Sequence, residues 1–134
     1  MTESAPPSTK FKIIHWIVVV LLLLMLAQPT FDNIRALISG SMVMGEVTID
    51  MPISKLALHL VAMTVGWIGF VLFVMRKKIG AYLSIGAHLL GFAAVMTQTP
   101  EMLDVMPPAV IAVFFVVLFV AALGPVLAFK DQYS

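Results

Sequence analysis

No cysteine occurs anywhere in the 134 residues. That absence excludes disulfides, thiolate metal sites, iron–sulfur clusters and cysteine nucleophiles together. Charge is scarce as well: Asp, Glu, Lys and Arg make up 11% of the chain, against about a quarter in ordinary soluble domains. No basic run is large enough to engage nucleic acid, and the formal net charge is only +1. A Ser/His/Asp set, paired carboxylates and a phosphate-binding glycine loop are all missing, which removes the usual routes to hydrolysis and group transfer. The chain is expected not to be an enzyme.

What is present is apolar. The hydrophobic fraction is 61% and the mean hydropathy +1.07, more than a soluble domain of this length can bury. Four runs carry most of it, at about 11–28, 56–75, 79–97 and 108–129. Each is long enough to cross about 30 Å of hydrocarbon at about 1.5 Å per helical residue. The expected fold is an all-α integral membrane protein of four transmembrane helices. No insertion exceeds about two dozen residues, well short of the roughly 50 that a separate domain needs. Residues 11–130 therefore read as a single membrane domain, flanked by tails at 1–10 and 131–134.

The few charges are sorted by side. Lys10 and Lys12 begin the first run, Arg76, Lys77 and Lys78 turn the second into the third, and Lys130 follows the fourth. Acidic residues gather in the other connections: Asp32, Glu46 and Asp50 in 29–55, Glu101 and Asp104 in 98–107. By the positive-inside rule both termini are cytoplasmic and the acidic connections face outward, as in a multi-pass protein of a bacterial inner membrane. A cleaved secretory signal is disfavoured, because Met25 and Ala27 make a poor small-x-small cleavage site. No repeat of 20–50 residues is present, so an inverted-repeat transporter within one chain is not expected.

Within the 29–55 loop, Phe31, Ile34, Leu37 and Ile38 recur at helical spacing opposite Asp32, Asn33, Arg35 and Ser39. Thr30 is placed to cap a start and Gly40 an end, which predicts a short interfacial helix. Beyond it, Glu46, Thr48 and Asp50 alternate with Val47, Ile49 and Met51, the pattern of an extended stretch with one wet face. Small residues predict where helices meet, since lipid supplies no hydrophobic drive between them. Ala62, Gly66 and Gly69 form one stripe; Gly80, Ser84, Ala87, Gly91 and Ala94 form another. The short basic turn makes these two helices antiparallel neighbours with their small faces together. Pro125 is expected to kink the end of the fourth helix.

Histidines within membrane runs are functional candidates by default. The stretch KLALHLVAMTVGWIGF, holding His59 and Trp67, resembles the His-then-Trp helix of haem-binding copper-resistance and protoporphyrinogen-oxidase-like membrane families. That resemblance implies haem b ligation by His59, with His88 as the other candidate. Folding the hairpin about Lys77 brings Trp67 rather than His59 level with His88, a depth difference of roughly 12 Å. A bis-His haem then requires strong tilt or a ligand from another chain; a pigment or quinone contact is the other cofactor role considered for either histidine. The alternative for His59 is a structural hydrogen bond near Met96 and Thr97. Met42 and Met44, an outward M-x-M pair, are candidate soft ligands for Cu(I), or adaptable apolar contacts.

Small four-helix multidrug exporters carry an embedded carboxylate and fluoride channels a glycine and arginine pattern; neither occurs here. The leading expectation is a non-catalytic accessory subunit of a larger membrane complex of respiratory, photosynthetic or oxidase type. Phe31, Ile34, Ile38, Phe114, Phe115 and Phe119 are the expected contacts with lipid and neighbouring subunits. A cofactor-binding electron-transfer subunit using His59 or His88 is the second expectation, and a small channel or transporter the third.

Overall fold

The computed structural model describes residues 6–134; the first five residues of the expected N-terminal tail lie outside the described residues. The element order is α1 (Thr9–Ser39), β1 (Ser41–Met44), β2 (Val47–Asp50), α2 (Ile53–Val74), α3 (Lys78–Gln98) and α4 (Pro108–Ala128). Two 3-10 turns, Pro100–Asp104 and Lys130–Gln132, precede and follow α4. All four α-helices are long and apolar enough to cross a membrane, and together they fit a multi-pass membrane protein. Each helix packs on the next and α4 returns to α1, closing a four-membered ring. The basic connections lie at one end of this bundle and the acidic ones at the other.

α1 departs from the expected boundaries. The first span and the interfacial helix are one continuous helix of 31 residues with Pro29 inside it, about 46 Å long at about 1.5 Å per residue. Proline removes one backbone donor, but membrane helices absorb that loss where neighbouring groups re-engage the backbone. Thr30 is accordingly not a cap. Its hydroxyl donates to the Leu26 carbonyl at 2.7 Å and accepts the indole N–H of Trp67 on α2 at 3.0 Å, so the proline turn is tied to the next helix. Ser8 caps the true start by accepting the Phe11 N–H at 3.1 Å. Gly40 ends the helix at φ +75°, its N–H on the Ala36 carbonyl at 2.8 Å, a left-handed position that glycine takes without steric cost.

The continuation of α1 turns its apolar side away from the bundle. Phe31, Ile34, Leu37 and Ile38 are exposed, while Asn33 and Ala36 are buried. After Gly40 the chain forms a tight antiparallel hairpin pairing Met42 with Ile49 and Val43 with Thr48. Gly45 leads the two-residue turn at φ +59°, the glycine-first arrangement favoured in such hairpins. Met42, Ile49 and Met51 turn inward and pack with Ala36, Leu56 and Met102, so the hairpin seals the acidic end of the bundle.

α2 and α3 make the closest contact in the fold. A Cβ on Gly80 would collide with the backbone of Phe73 and Gly69, and one on Gly69 would lie 2.7 Å from the Ser84 nitrogen. Ala62 faces Gly91, and Gly66 faces Ala87, with Ala94 fully buried beyond them. Backbone-to-backbone approach of this kind replaces the missing hydrophobic drive with dispersion contacts. The turn between these helices puts Arg76 at φ +60°. The Lys77 N–H returns to the Leu72 carbonyl at 2.8 Å and the Arg76 N–H to the Phe73 carbonyl at 2.9 Å, a Schellman closure with arginine where glycine is usual.

The last residues complete the basic end. Tyr133 is 6% exposed and packs on Phe11, His15 and Phe73. Ser134 pairs its backbone with Arg76 and Lys78, both at 3.0 Å. α4 runs through Pro125 to Ala128, and Pro125 itself accepts the Phe129 N–H at 2.8 Å.

Candidate functional site

A cavity of about 310 Å³ opens in the acidic half of the bundle, between all four helices and the hairpin. Its walls come from separate parts of the chain. α1 contributes Leu26, Gln28, Pro29, Asp32 and Asn33; α2 contributes His59, Ala62 and Met63; α3 contributes Ala87, His88, Gly91, Phe92 and Val95. Val110, Ile111, Phe114 and Phe115 of α4 close the far side, and Met42, Met44, Met102 and Met106 cover the end. Ala62, Ala87 and Gly91, small residues of the α2–α3 contact, form part of the wall. Five methionines on one cavity make a soft, adaptable wall.

Both candidate histidines reach this cavity, although they differ in depth. Gly69 lies against Ser84, Gly66 against Ala87 and Ala62 against Gly91, which fixes the register of the hairpin. In that register His88 is level with Val65, so the two imidazoles are offset by about 9 Å along the bundle at about 1.5 Å per residue. The cavity runs along the helices and borders both.

Their polar atoms are used differently. His88 is half-buried, and its Nδ1–H donates to the Ser84 carbonyl of its own helix at 2.7 Å. Its Nε2 is enclosed without a partner, and the ring lies 5.5 Å from that of Phe114. His59 is 7% exposed; its Nε2 lies 3.3 Å from the hydroxyl of Thr99, the fully buried residue just past the end of α3. The partner is thus Thr99 rather than Met96 or Thr97. Gln28 donates its amide to the Asp32 carboxylate at 3.1 Å, leaving that pair mutually occupied. Asn33, 5% exposed, borders the cavity and makes no side-chain hydrogen bond among the described residues.

Met42 and Met44, the candidate Cu(I) ligands, both border the cavity, Met42 buried and Met44 half-buried. Among the described residues no group of three or more His, Asp or Glu side chains is arranged to hold a metal ion. The contact candidates divide. Phe31, Ile34, Ile38 and Phe119 are exposed, whereas Phe114 and Phe115 turn inward, Phe115 packing edge-on against Phe92. Ala62, Ala87 and Gly91 serve twice, at the α2–α3 contact and on the cavity wall.

Asn33 was the residue to miss, because its polar neighbours Asp32 and Arg35 make it look like part of a wet face. The signal for it is the buried stripe of α1, in which Leu22, Leu26, Asn33 and Ala36 follow helical spacing once the helix is continued through Pro29. No family model matches the sequence, and neither the curated proteins nor the solved structures contain a significant match.

Proposed function

We propose that this chain is a non-catalytic membrane component that holds one small lipid-soluble molecule, of the quinone class, inside its helix bundle. One observation carries the reading: an apolar cavity within the bundle bordered by two buried polar side chains from different helices, His59 and Asn33. Binding sites for small molecules have this composition, with apolar walls for affinity and a few polar groups for orientation. A volume of about 310 Å³ is at the lower end of such sites, about 300–1,000 Å³. A single-ring head group suits it better than a haem or pigment macrocycle, and a quinone supplies both the apolar ring and the polar edge.

The setting proposed is a bacterial inner membrane with both termini cytoplasmic, which places the cavity in the outward half. A role beside larger subunits is supported by the exposed row of Phe31, Ile34 and Ile38 on α1, where an amphipathic extension turns its apolar side away from its own bundle. The test is extraction of the protein, purified gently from native membranes, followed by mass spectrometry of the organic phase. A near-stoichiometric quinone or quinol is the expected result, with no Soret band in the absorption spectrum. Protein that arrives ligand-free and also fails to bind an added decyl-substituted benzoquinone would overturn the reading.

A further inference from the structure

We infer that the cavity recognises a carbonyl oxygen of its ligand through the Nδ1–H of His59, with Thr99 acting as a positioning residue that sets the imidazole tautomer. The inference rests on the ligand-binding reading above and specifies the chemistry of that site.

The starting point is the proton of the Thr99 hydroxyl. Thr99 is 0% exposed, and its Oγ1 has one side-chain partner, His59 Nε2 at 3.3 Å. A hydroxyl has one proton to give and can also accept. If Nε2–H donated to Oγ1, the threonine proton would be enclosed with no acceptor, and an unmet buried donor costs about as much as the bond gains. Donation from Thr99 to Nε2 satisfies both groups. Nε2 is then the acceptor nitrogen, so the proton of the neutral ring sits on Nδ1.

Nδ1 lies on the opposite flank of the imidazole from the nitrogen that Thr99 pins, and it has no partner among the described residues. The ring is buried and borders the cavity. The other donors on that wall are committed: His88 gives its Nδ1–H to Ser84 and keeps Nε2 as an enclosed acceptor, and the Gln28 amide is held by Asp32. The free donors are therefore His59 Nδ1–H and the Asn33 amide, on neighbouring helices. An apolar molecule with a carbonyl edge, such as an oxidised quinone, satisfies them.

The experiment uses the full-length protein in detergent with a decyl-substituted benzoquinone carrying ¹³C at its carbonyls. Infrared difference spectra report the carbonyl stretch, and equilibrium dialysis reports affinity. In the unmodified protein a bound carbonyl shifted to lower frequency is expected. His59→Phe should remove the shift and weaken oxidised-ligand binding by about tenfold, the effect of about one hydrogen bond. Thr99→Val, which keeps shape but frees the tautomer, should weaken the shift. Asn33→Leu should alter the spectrum independently, so the assignment does not hang on one variant. Binding with an unshifted carbonyl in the unmodified protein overturns this inference while leaving the cavity as a binding site; no binding at all overturns both.

Discussion

His15 and Tyr133 are 118 positions apart in the chain, yet the His15 Nδ1 and the Tyr133 hydroxyl share a hydrogen bond of 2.8 Å. The bond joins the first turns of α1 to the last residues and lies inside an aromatic cluster. His15 stacks on Phe73 at 5.3 Å with the planes 14° apart, while Tyr133 meets Phe11 edge-on at 5.6 Å. Since Ser134 also pairs with the backbone at Arg76 and Lys78, three hydrogen bonds converge on the adjacent residues Tyr133 and Ser134. The basic end of the bundle is therefore closed by the C-terminal residues.

Tyr133→Phe keeps the ring and loses the bond, so it should cost about 1 kcal/mol. Tyr133→Ala also empties a buried aromatic position and should cost about 3–5 kcal/mol. Unfolding followed by circular dichroism in mild detergent measures both. Equal losses for the two variants would mean that packing contributes little here.

The same tyrosine gives the fold a dependence on alkaline pH. Burial pushes its hydroxyl up to about 12, against a smaller opposing pull from the Arg76 charge; the ordinary value is about 10. A folded value above the unfolded one means that the neutral phenol is favoured by folding. Its contribution is complete below pH of about 10 and is lost as pH rises through about 12. Unfolding midpoints should be flat with respect to this group near neutrality and fall in that alkaline window. Tyr133→Phe should flatten the fall; an unchanged pH profile in that variant would assign the loss to other groups.

Helix contact between α2 and α3 should be intolerant of a single methyl at two positions only a few turns from positions that accept one. Gly80→Ala and Gly69→Ala drive a Cβ into neighbouring backbone and should each cost about 1–3 kcal/mol or more, since backbone cannot yield as a flexible side chain can. Gly86 and Gly124 have open space where a Cβ would sit, with no neighbour within 4 Å, so alanine there should be neutral or stabilising by up to about 1 kcal/mol. Ser84→Ala belongs with the second group: its Oγ is enclosed without a partner, and removing an unpaired polar atom relieves its desolvation. Comparing these five variants by unfolding in detergent separates a real backbone contact from general sensitivity of the helix.

The four spans were legible because hydropathy and length suffice for them, and the charge-bearing turns marked their ends. Pro29 misled, because a proline after an apolar run reads as a stop; the Trp67 indole bond to Thr30 that ties this turn to α2 is tertiary and leaves no local pattern. The hairpin was half visible, in the alternation through Val47, Thr48, Ile49 and Asp50, while its partner strand Ser41–Met44 lacks that alternation. Depth counting set His59 and His88 apart, and they are apart. What it missed is that a cavity extended along the helix axis borders residues at different depths. The Thr99 contact of His59 was also hidden, since Thr99 lies past the end of α3 and only the turn into Pro100–Asp104 brings it back.

Orientation in the bilayer can be read directly because the chain has no native cysteine. Single cysteines at Glu46, in the exposed hairpin turn, and at Lys77, in the exposed basic turn, would each be the only thiol present. The basic residues of the turn are expected on the cytoplasmic face, so in intact cells a membrane-impermeant maleimide should label Glu46→Cys and spare Lys77→Cys until the membrane is permeabilised. The distinction matters for the cavity, which lies beneath the hairpin that carries Glu46. With this pattern, the cavity lies in the half of the bilayer facing away from the cytoplasm. The reverse labelling would invert that placement, contradict the charge sorting and put the His59 side of the bundle next to the cytoplasm.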